Sequence, residues 1–211
     1  MAYIYSQWEK QIWDYLVAEI GNEYGVAGLM GNLAAESILS PGRIQNDLTT
    51  AMNPSNAYTS ALNNGSVTEH NFVYDKMFLY NGNNYGPAYG LAQWDYSPRR
   101  QNYWDFWHTF QHGIAGDLSF ELWFLMWELE NQFQSVLNTL RNATSVRQAS
   151  DKVLHDFENP SEQGTDVEIA RANMGQRIYD QYHGSQPEPP VPPTPTPSRK
   201  LPIIFYLRYP F

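Results

Sequence analysis

The segment DLSFELWFLMWELENQF, residues 117–133, most limits what this chain can fold into. Its leucines recur at helical spacing along one face, while Trp123 and Phe124 place aromatic rings on the other faces. A helix that is apolar nearly all round is stable only when other elements surround it. The segment therefore predicts a buried central helix against which the rest of a domain packs.

Other segments with helical periodicity are available to surround this helix. Two lie near the N-terminus, at about residues 6–21 and 24–39, and the second contains small residues that permit close approach by neighbouring elements. Two more follow the central helix, one ending at Pro160 and one covering residues 166–183. These segments predict a domain that is mainly α-helical.

Residues 40–94 have a different pattern. The stretches NPSN, NNGS and YNGNNYG are turn signals, and short β-prone pieces such as NFVYD lie between them. We expect a long, largely irregular excursion with one small β-hairpin, so that the fold is α+β with helices dominant. A stretch this long without strong elements is usually functional or disordered, and its aromatic residues favour order.

Composition excludes several classes of function. A net charge of -9 without a cluster of Lys and Arg argues against a nucleic-acid partner. The absence of cysteine excludes disulfides, a thiol nucleophile and Cys-ligated zinc. No stretch approaches the roughly 18 apolar residues of a membrane span, and the N-terminus shows no signal-peptide pattern. His108 and His112 are four residues apart, but the surrounding aromatics favour packing, so no metal and no cofactor is predicted.

The composition changes after Gly184. Residues 185–198, SQPEPPVPPTPTPS, are Pro-rich and predict an extended, semi-rigid linker. Residues 199–211, RKLPIIFYLRYPF, form a short apolar tail that is too small to fold alone. Two interpretations stay open for this tail: an artificial or disordered chain end, or a peptide that docks on a partner. The predicted organisation is a domain at 1–184, a linker at 185–198 and a tail at 199–211.

Glu36 is the first candidate for a chemical role. It lies at the edge of the apolar stripe of the second helix, just before Ser40 and Pro41 end that helix. Burial beside apolar groups and the negative end of the helix dipole both raise the pKa of a carboxyl group. A carboxyl that keeps its proton near neutral pH can act as a general acid. Spacing alone, however, fits a half-exposed glutamate at a helix end better.

A second motif, YGPAYGLAQWDYSPRR, covers residues 85–100. Its glycines permit close backbone approach, Tyr85, Tyr89 and Trp94 can stack on a flat ligand, and Gln93 offers both donors and an acceptor. Alone, the motif fits a turn that leads into the next helix. Together, GLMGNLAAES and the later YGLAQW resemble the lysozyme-like superfamily of glycan-cleaving domains, and most closely the phage tail-tip lysozyme family. That family acts from tail-associated virion proteins that open the bacterial wall.

The resemblance covers about residues 7–182 and includes LWFLMWELE and the helix ending in FENP. It implies a lysozyme-like fold whose long excursion flanks a substrate cleft, with Glu36 as the catalytic acid. It also implies that Ser37, Tyr89, Gln93 and Trp94 line the cleft. Glu158 matches an acidic position near the end of the later helix, where a structural role is at least equally expected.

The second catalytic group is left open. Glycoside hydrolysis commonly uses two carboxylates, and Asp47 in IQND and Asp75 in NFVYDK are equal candidates for the second. Asp95 is discounted, because the family more often has a small hydroxyl residue there. In lytic transglycosylases, which belong to the same superfamily, a single acid suffices because the substrate closes its own anhydro ring.

The resemblance predicts a virion-associated enzyme that acts at the bacterial cell wall. Its substrate would be the glycan strands of peptidoglycan, cut at the β-1,4 bond from N-acetylmuramic acid to N-acetylglucosamine. Residues 199–211 would tether it to a phage tail or another virion protein. The alternatives are a lytic transglycosylase and a catalytically silent wall-binding or tail-structural module.

Overall fold

A computed structural model describes residues 5–75, 77–86, 88–110 and 113–185. The predicted tail and all of the predicted linker except Ser185 lie outside these residues. The helices are α1 Glu9–Ile20, α2 Glu23–Ser37, α3 Asn53–Asn63, α4 Glu69–Tyr74, α5 Ser97–Phe110, α6 Leu118–Asn131, α7 Gln134–Arg141, α8 Val146–Val153 and α9 Thr165–Tyr182. A π-helical turn, Leu154–Glu158, continues α8. Strands β1 Phe78–Tyr80 and β2 Asn83–Tyr85 pair antiparallel. The predicted fold class is confirmed.

Helix α6 lies in the core, as its sequence predicts. Most of its side chains are buried, including those of Phe124 and Leu125 at 0% exposure. Asp117 accepts a hydrogen bond from the Phe120 amide at 3.1 Å and so begins the helix with a side-chain cap. Neighbouring elements therefore cover most of the apolar surface of α6.

Helix α2 is a second central helix, and it packs mainly against α8 and α9. A Cβ atom on Gly28 would lie 2.4 Å from the Ala149 Cβ, and one on Gly31 would lie 2.5 Å from the Arg171 carbonyl oxygen. These distances are shorter than side-chain carbons tolerate, so glycine is required at both crossings. The crossing at Gly31 brings the backbone of α9 directly onto α2, close to the end where Glu36 lies.

The excursion at residues 40–94 is more ordered than predicted. Helices α3 and α4 lie within it, and the β-prone piece NFVYD falls mostly in α4 instead of in a strand. The side chain of Thr68 caps α4 by accepting from the Asn71 amide, and burial of Phe72 and Val73 holds the helix on the core. The hairpin prediction is confirmed at β1 and β2, where Asn81 and Gly82 form the turn with positive φ.

Glu121 of α6 attaches the excursion to the core. Its carboxyl oxygens accept hydrogen bonds from the Gly42 amide at 3.0 Å and from the Leu91 amide at 2.9 Å. Burial raises the pKa of Glu121 to about 8, although hydrogen bonds from Leu91, Gly42 and Tyr103 act in the opposite direction. One buried carboxyl group thus holds the two ends of the excursion, and the segment between them folds over the helical core.

Candidate active site

Glu36 is the penultimate residue of α2, and its side chain is 21% exposed. The helix ends directly after it, because Ile38 and Leu39 adopt left-handed backbone conformations. The Glu36 Oε1 atom lies 2.5 Å from Nη2 of Arg171, which α9 supplies. Glu36 is thus partly exposed at a helix end, and it is contacted by a guanidinium group that no local pattern predicted.

Arg171 is held in place by a relay of hydrogen bonds inside the helical core. Its Nη1 donates to the Asn32 Oδ1 atom at 3.2 Å. Asn32 in turn donates from Nδ2 to the carbonyl oxygens of Gly28 and Ser150, at 3.0 and 3.1 Å. These two acceptors fix the amide of Asn32 so that its oxygen faces Arg171. The guanidinium is therefore oriented before any ligand binds.

Arg99, from the first turn of α5, forms the second positive charge of the site. Its Nε and Nη2 atoms donate to the two carboxyl oxygens of Glu128 at 2.8 and 2.9 Å, a bidentate pair. Trp94 donates from Nε1 to the same carboxylate at 2.6 Å. Burial lowers the pKa of Arg99, but the charge and hydrogen bonds of Glu128, together with the charges of Glu158 and Glu36, outweigh burial and raise it overall. The YGLAQW motif is thereby linked through Trp94 to a buried ion pair.

Glu158 ends the π-helical turn and completes the site. Its Oε1 atom is buried and accepts no hydrogen bond within the described residues. Burial and the charge of Glu36 raise the pKa of Glu158 to about 8, while Arg99 and Arg171 act against this rise. We call Glu36, Glu128, Glu158, Arg99 and Arg171 the charged cluster.

Three of the five predicted substrate-binding residues are buried in the core. Ser37, Tyr89 and Trp94 are each 0% exposed, so their side chains lie in the core and present no surface to a sugar. Ser37 donates to the Leu33 carbonyl at 3.1 Å, and the Tyr89 hydroxyl lies 2.7 Å from Thr59 Oγ1. The prediction of direct substrate contact therefore disagrees with the structure for these three residues, because the rings of Tyr89 and Trp94 pack in the core and the Ser37 hydroxyl bonds to its own helix.

Gln93 and Tyr85 keep partly exposed side chains. Gln93 has a positive φ of 44°, and its Nε2 donates to the carbonyl oxygens of Arg43 and Gly90 at 2.8 and 3.0 Å. Tyr85 lies in β2, opposite Phe78 of β1. Both remain candidates for substrate contact, Gln93 beside the turn that it stabilises and Tyr85 on the hairpin.

Asp47 holds a loop together. Its Oδ2 accepts from the amide and hydroxyl of Ser55, and its Oδ1 accepts from the amide and hydroxyl of Thr49, at 2.5 to 3.1 Å. Burial alone raises the pKa of Asp47, but the hydrogen bonds from Ser55 and Thr49 outweigh it and lower the pKa. With both oxygens engaged and the residue 2% exposed, Asp47 is placed as a structural group instead of a second catalytic one.

Asp75 lies elsewhere, at the C-terminal end of α4. It is exposed and accepts a hydrogen bond from Asn71. Together with Tyr58, Phe78 and Gly86 it lines a surface cavity, and Glu36 is not among the residues that line that cavity. The structure therefore brings neither Asp47 nor Asp75 into hydrogen-bond contact with Glu36.

The sequence analysis overlooked the basic half of the site. Arg99 lies at the end of the YGPAYGLAQWDYSPRR motif but was not a predicted site residue, and Arg171 lies in a helix whose local pattern gives no sign of a partner in α2. Both contacts join residues far apart in the chain, and local periodicity carries no such information.

His108, one of the two histidines considered as metal ligands, stacks on Trp104 at 4.2 Å between ring centroids, whereas His112 lies outside the described residues.

A mainly helical domain, with a small hairpin and a half-exposed glutamate at the end of a buried helix, has the architecture of a lysozyme-like glycoside hydrolase. The chain belongs to the phage tail lysozyme family, whose family model matches residues 7–182. No curated protein and no solved structure matches the chain. Family membership indicates a phage lysozyme-like peptidoglycan hydrolase. No helix in the described ranges is long and apolar enough to span a membrane.

Proposed function

We propose that this chain is a tail-associated muramidase in which Glu36 is the general acid. The observation that carries the proposal is the position of Glu36 within the family match: half-exposed at the end of α2 and contacted by a fixed Arg171. The bond cleaved is the β-1,4 link from N-acetylmuramic acid to N-acetylglucosamine in the peptidoglycan glycan strand.

The chemistry follows from the contact between the Glu36 carboxyl group and the Arg171 guanidinium. A protonated Glu36 gives its proton to the glycosidic oxygen as the bond to the anomeric carbon breaks. Glu36 becomes a carboxylate in that step, and Arg171 is already placed to pair with the new negative charge. The electrostatic contribution of Arg171 is therefore larger in the transition state than before the proton leaves, which is the condition for lowering the barrier.

A lytic transglycosylase is the second candidate, and one observation favours it. Both oxygens of Asp47 accept hydrogen bonds from its own loop, and Asp75 lines a surface cavity whose lining residues do not include Glu36, so neither residue has the surroundings expected of a second catalytic carboxylate. A mechanism with one acid, in which the substrate supplies its own nucleophile, does not need such a group. The two reactions differ in their products and can be separated directly.

The test is mass spectrometry of peptidoglycan digested by the full chain, with Glu36→Gln in parallel. We expect reducing muramic ends, and a loss of at least about 100-fold in the variant, because a glutamine amide cannot donate the proton. Anhydro-muramic ends would move the chain to the transglycosylases. Reducing glucosamine ends would change the bond that is cut. A chain that sediments with walls but releases no product would be a silent wall-binding module.

Association with the virion is proposed from the sequence, since residues 186–211 lie outside the described part of the chain. We expect deletion of residues 185–211 to leave wall cleavage intact and to prevent incorporation into the phage particle, because the shortened chain would lack the apolar tail that docks on the particle. Quantitative immunoblotting of purified particles measures this. Normal incorporation of the shortened chain would disprove the tethering role.

A further inference from the structure

The backbone around Glu158 departs from an α-helix at the place where the charged cluster begins. The amide of Asn159 donates to the carbonyl oxygen of Leu154 at 2.9 Å, a bond that spans five residues, and Asn159 then ends the turn with a left-handed φ of 45°. A π-helical turn inserts one residue and changes the direction of the side chains that follow, and such turns are frequent at functional sites. Glu158 ends this turn, and charged groups from four other helices act on its carboxyl group: Glu36, Arg99, Glu128 and Arg171.

Among the described residues, no cation forms an ion pair with Glu158. Helix α5 supplies Arg99, which is occupied by the bidentate pair with Glu128 of α6. Helix α9 supplies Arg171, whose ion pair is with Glu36 of α2. The Glu158 Oε1 atom is buried with no hydrogen bond from the described residues. An unpaired carboxylate in such surroundings is costly, and it is the group that retains a proton.

The net charge of the cluster also indicates that one of its carboxyl groups retains a proton. It contains three carboxyl groups and two guanidinium groups, so a single proton makes it neutral. Glu128 is engaged by Arg99 and Trp94, and Glu36 by Arg171, whereas the Glu158 Oε1 atom has no hydrogen bond from the described residues. Two neighbouring carboxyl groups that interact strongly titrate as a pair, and their protons belong to the pair.

We propose that Glu158 is a positioning residue for the proton of Glu36, the two carboxyl groups holding one proton between them. The inference rests on the proposed function of Glu36. When Glu36 takes the proton, Glu158 becomes the carboxylate and is compensated by Arg99 and Arg171. Glu36 then transfers the proton to the glycosidic oxygen, water adds its hydroxyl to the anomeric carbon, and the remaining proton of that water returns to the pair.

The first test is the pH profile of wall cleavage for Glu158→Gln. Without the negative charge that Glu158 carries at high pH, Glu36 would face Arg171 with no opposing carboxylate. We expect the alkaline limb of the profile to move to lower pH by about one unit, so that the rate on that limb falls about tenfold. Glu162→Gln removes an exposed glutamate four residues further on, and it should leave the profile unchanged. A folded Glu158→Gln protein with the wild-type alkaline limb would overturn the proposal.

The second test does not depend on activity. ¹³C NMR of labelled glutamate carboxyl groups in the full-length protein should show a Glu158 signal that titrates above pH 7 and moves to lower pH in Glu36→Gln. Glu121, which also titrates late but lies outside the cluster, is the internal reference and should not move. A Glu158 signal unaffected by Glu36→Gln would overturn the proton pair. A coupled signal in a chain that releases no glycan product would reject the proposed function and retain the pair.

Discussion

Glu36 and Asp47 show how neighbours give different roles to two carboxyl groups that were both catalytic candidates in the sequence. Glu36 keeps a partly exposed side chain and has one guanidinium contact, so a ligand can approach it. Asp47 is surrounded by donors from Ser55 and Thr49 on its own loop. A carboxylate with both oxygens engaged is a poor proton carrier, because protonation requires it to give up hydrogen bonds. The structural assignment of Asp47 leads to a direct test.

Asp47→Asn should destabilise the protein by about 1–3 kcal/mol, since the amide nitrogen of asparagine cannot accept the hydrogen bonds that one carboxyl oxygen now receives. Cleavage of cell walls per folded molecule should be unchanged. Urea unfolding measures the first effect and a turbidity assay the second. Asp95→Asn, at an exposed position, is the control and should be neutral. Lost cleavage with unchanged stability would return Asp47 to the catalytic group.

At the scale of elements, the crossing of α2 and α9 creates the site. Gly31 and Gly175 meet there, and the backbones approach so closely that a Cβ on Gly175 would lie 2.5 Å from the Ala27 carbonyl oxygen. Arg171 lies one turn before Gly175 on α9, and Glu36 lies five residues after Gly31 on α2. The small residues therefore fix the distance between the two charged groups as well as the packing.

Gly31→Ala should destabilise the protein by about 1–3 kcal/mol, because the added methyl group meets the backbone of α9 and the helices have to move apart. The same movement should separate Arg171 from Glu36 and lower the cleavage rate of the molecules that remain folded. Thermal unfolding and turbidity assays at a temperature below the transition measure both effects. Ala35→Ser adds one atom at an exposed position of the same helix and should change neither.

At the scale of the whole molecule, buried carboxyl groups with raised pKa values make stability depend on pH. Glu121 and Glu158 both have a pKa of about 8 in the folded protein, above the ordinary value of 4.5. The folded state thus binds more protons than the unfolded state between these values. Their contribution to stability is fully present below about pH 4.5 and is lost as pH rises through about 8.

We therefore expect the free energy of unfolding to fall by a few kcal/mol between pH 5 and pH 9. In Glu121→Gln the fall should be smaller, since a glutamine at this position does not ionise. Urea unfolding at a series of pH values measures both slopes. Identical slopes for the wild type and the variant would show that Glu121 does not retain its proton in the folded state.

Elements whose signals are local could be predicted from the amino-acid sequence. Apolar periodicity located α2, α6 and α9, and the Asn-Gly turn located the hairpin. The resemblance carried by GLMGNLAAES and YGLAQW pointed to Glu36 and to the family. Helix α4 was missed because its β-prone residues are held helical by the Thr68 cap and by burial on the core. Trp94 and Tyr89 were assigned to a cleft because an aromatic ring suits a sugar and a core equally well.

Which side chains contact each other follows from the packing of distant segments and could not be predicted from the sequence. Arg171 and Glu36 are separated by 135 positions in the chain, and Arg99 and Glu128 by 29. Neither pairing leaves a trace in the local pattern of either helix. The protonation of Glu158 depends in turn on both pairings, because a carboxyl group retains its proton when burial and a neighbouring charge outweigh the cations in reach. Local periodicity specifies which face of a helix is buried, whereas the electrostatic environment of a group depends on every chain segment packed around it.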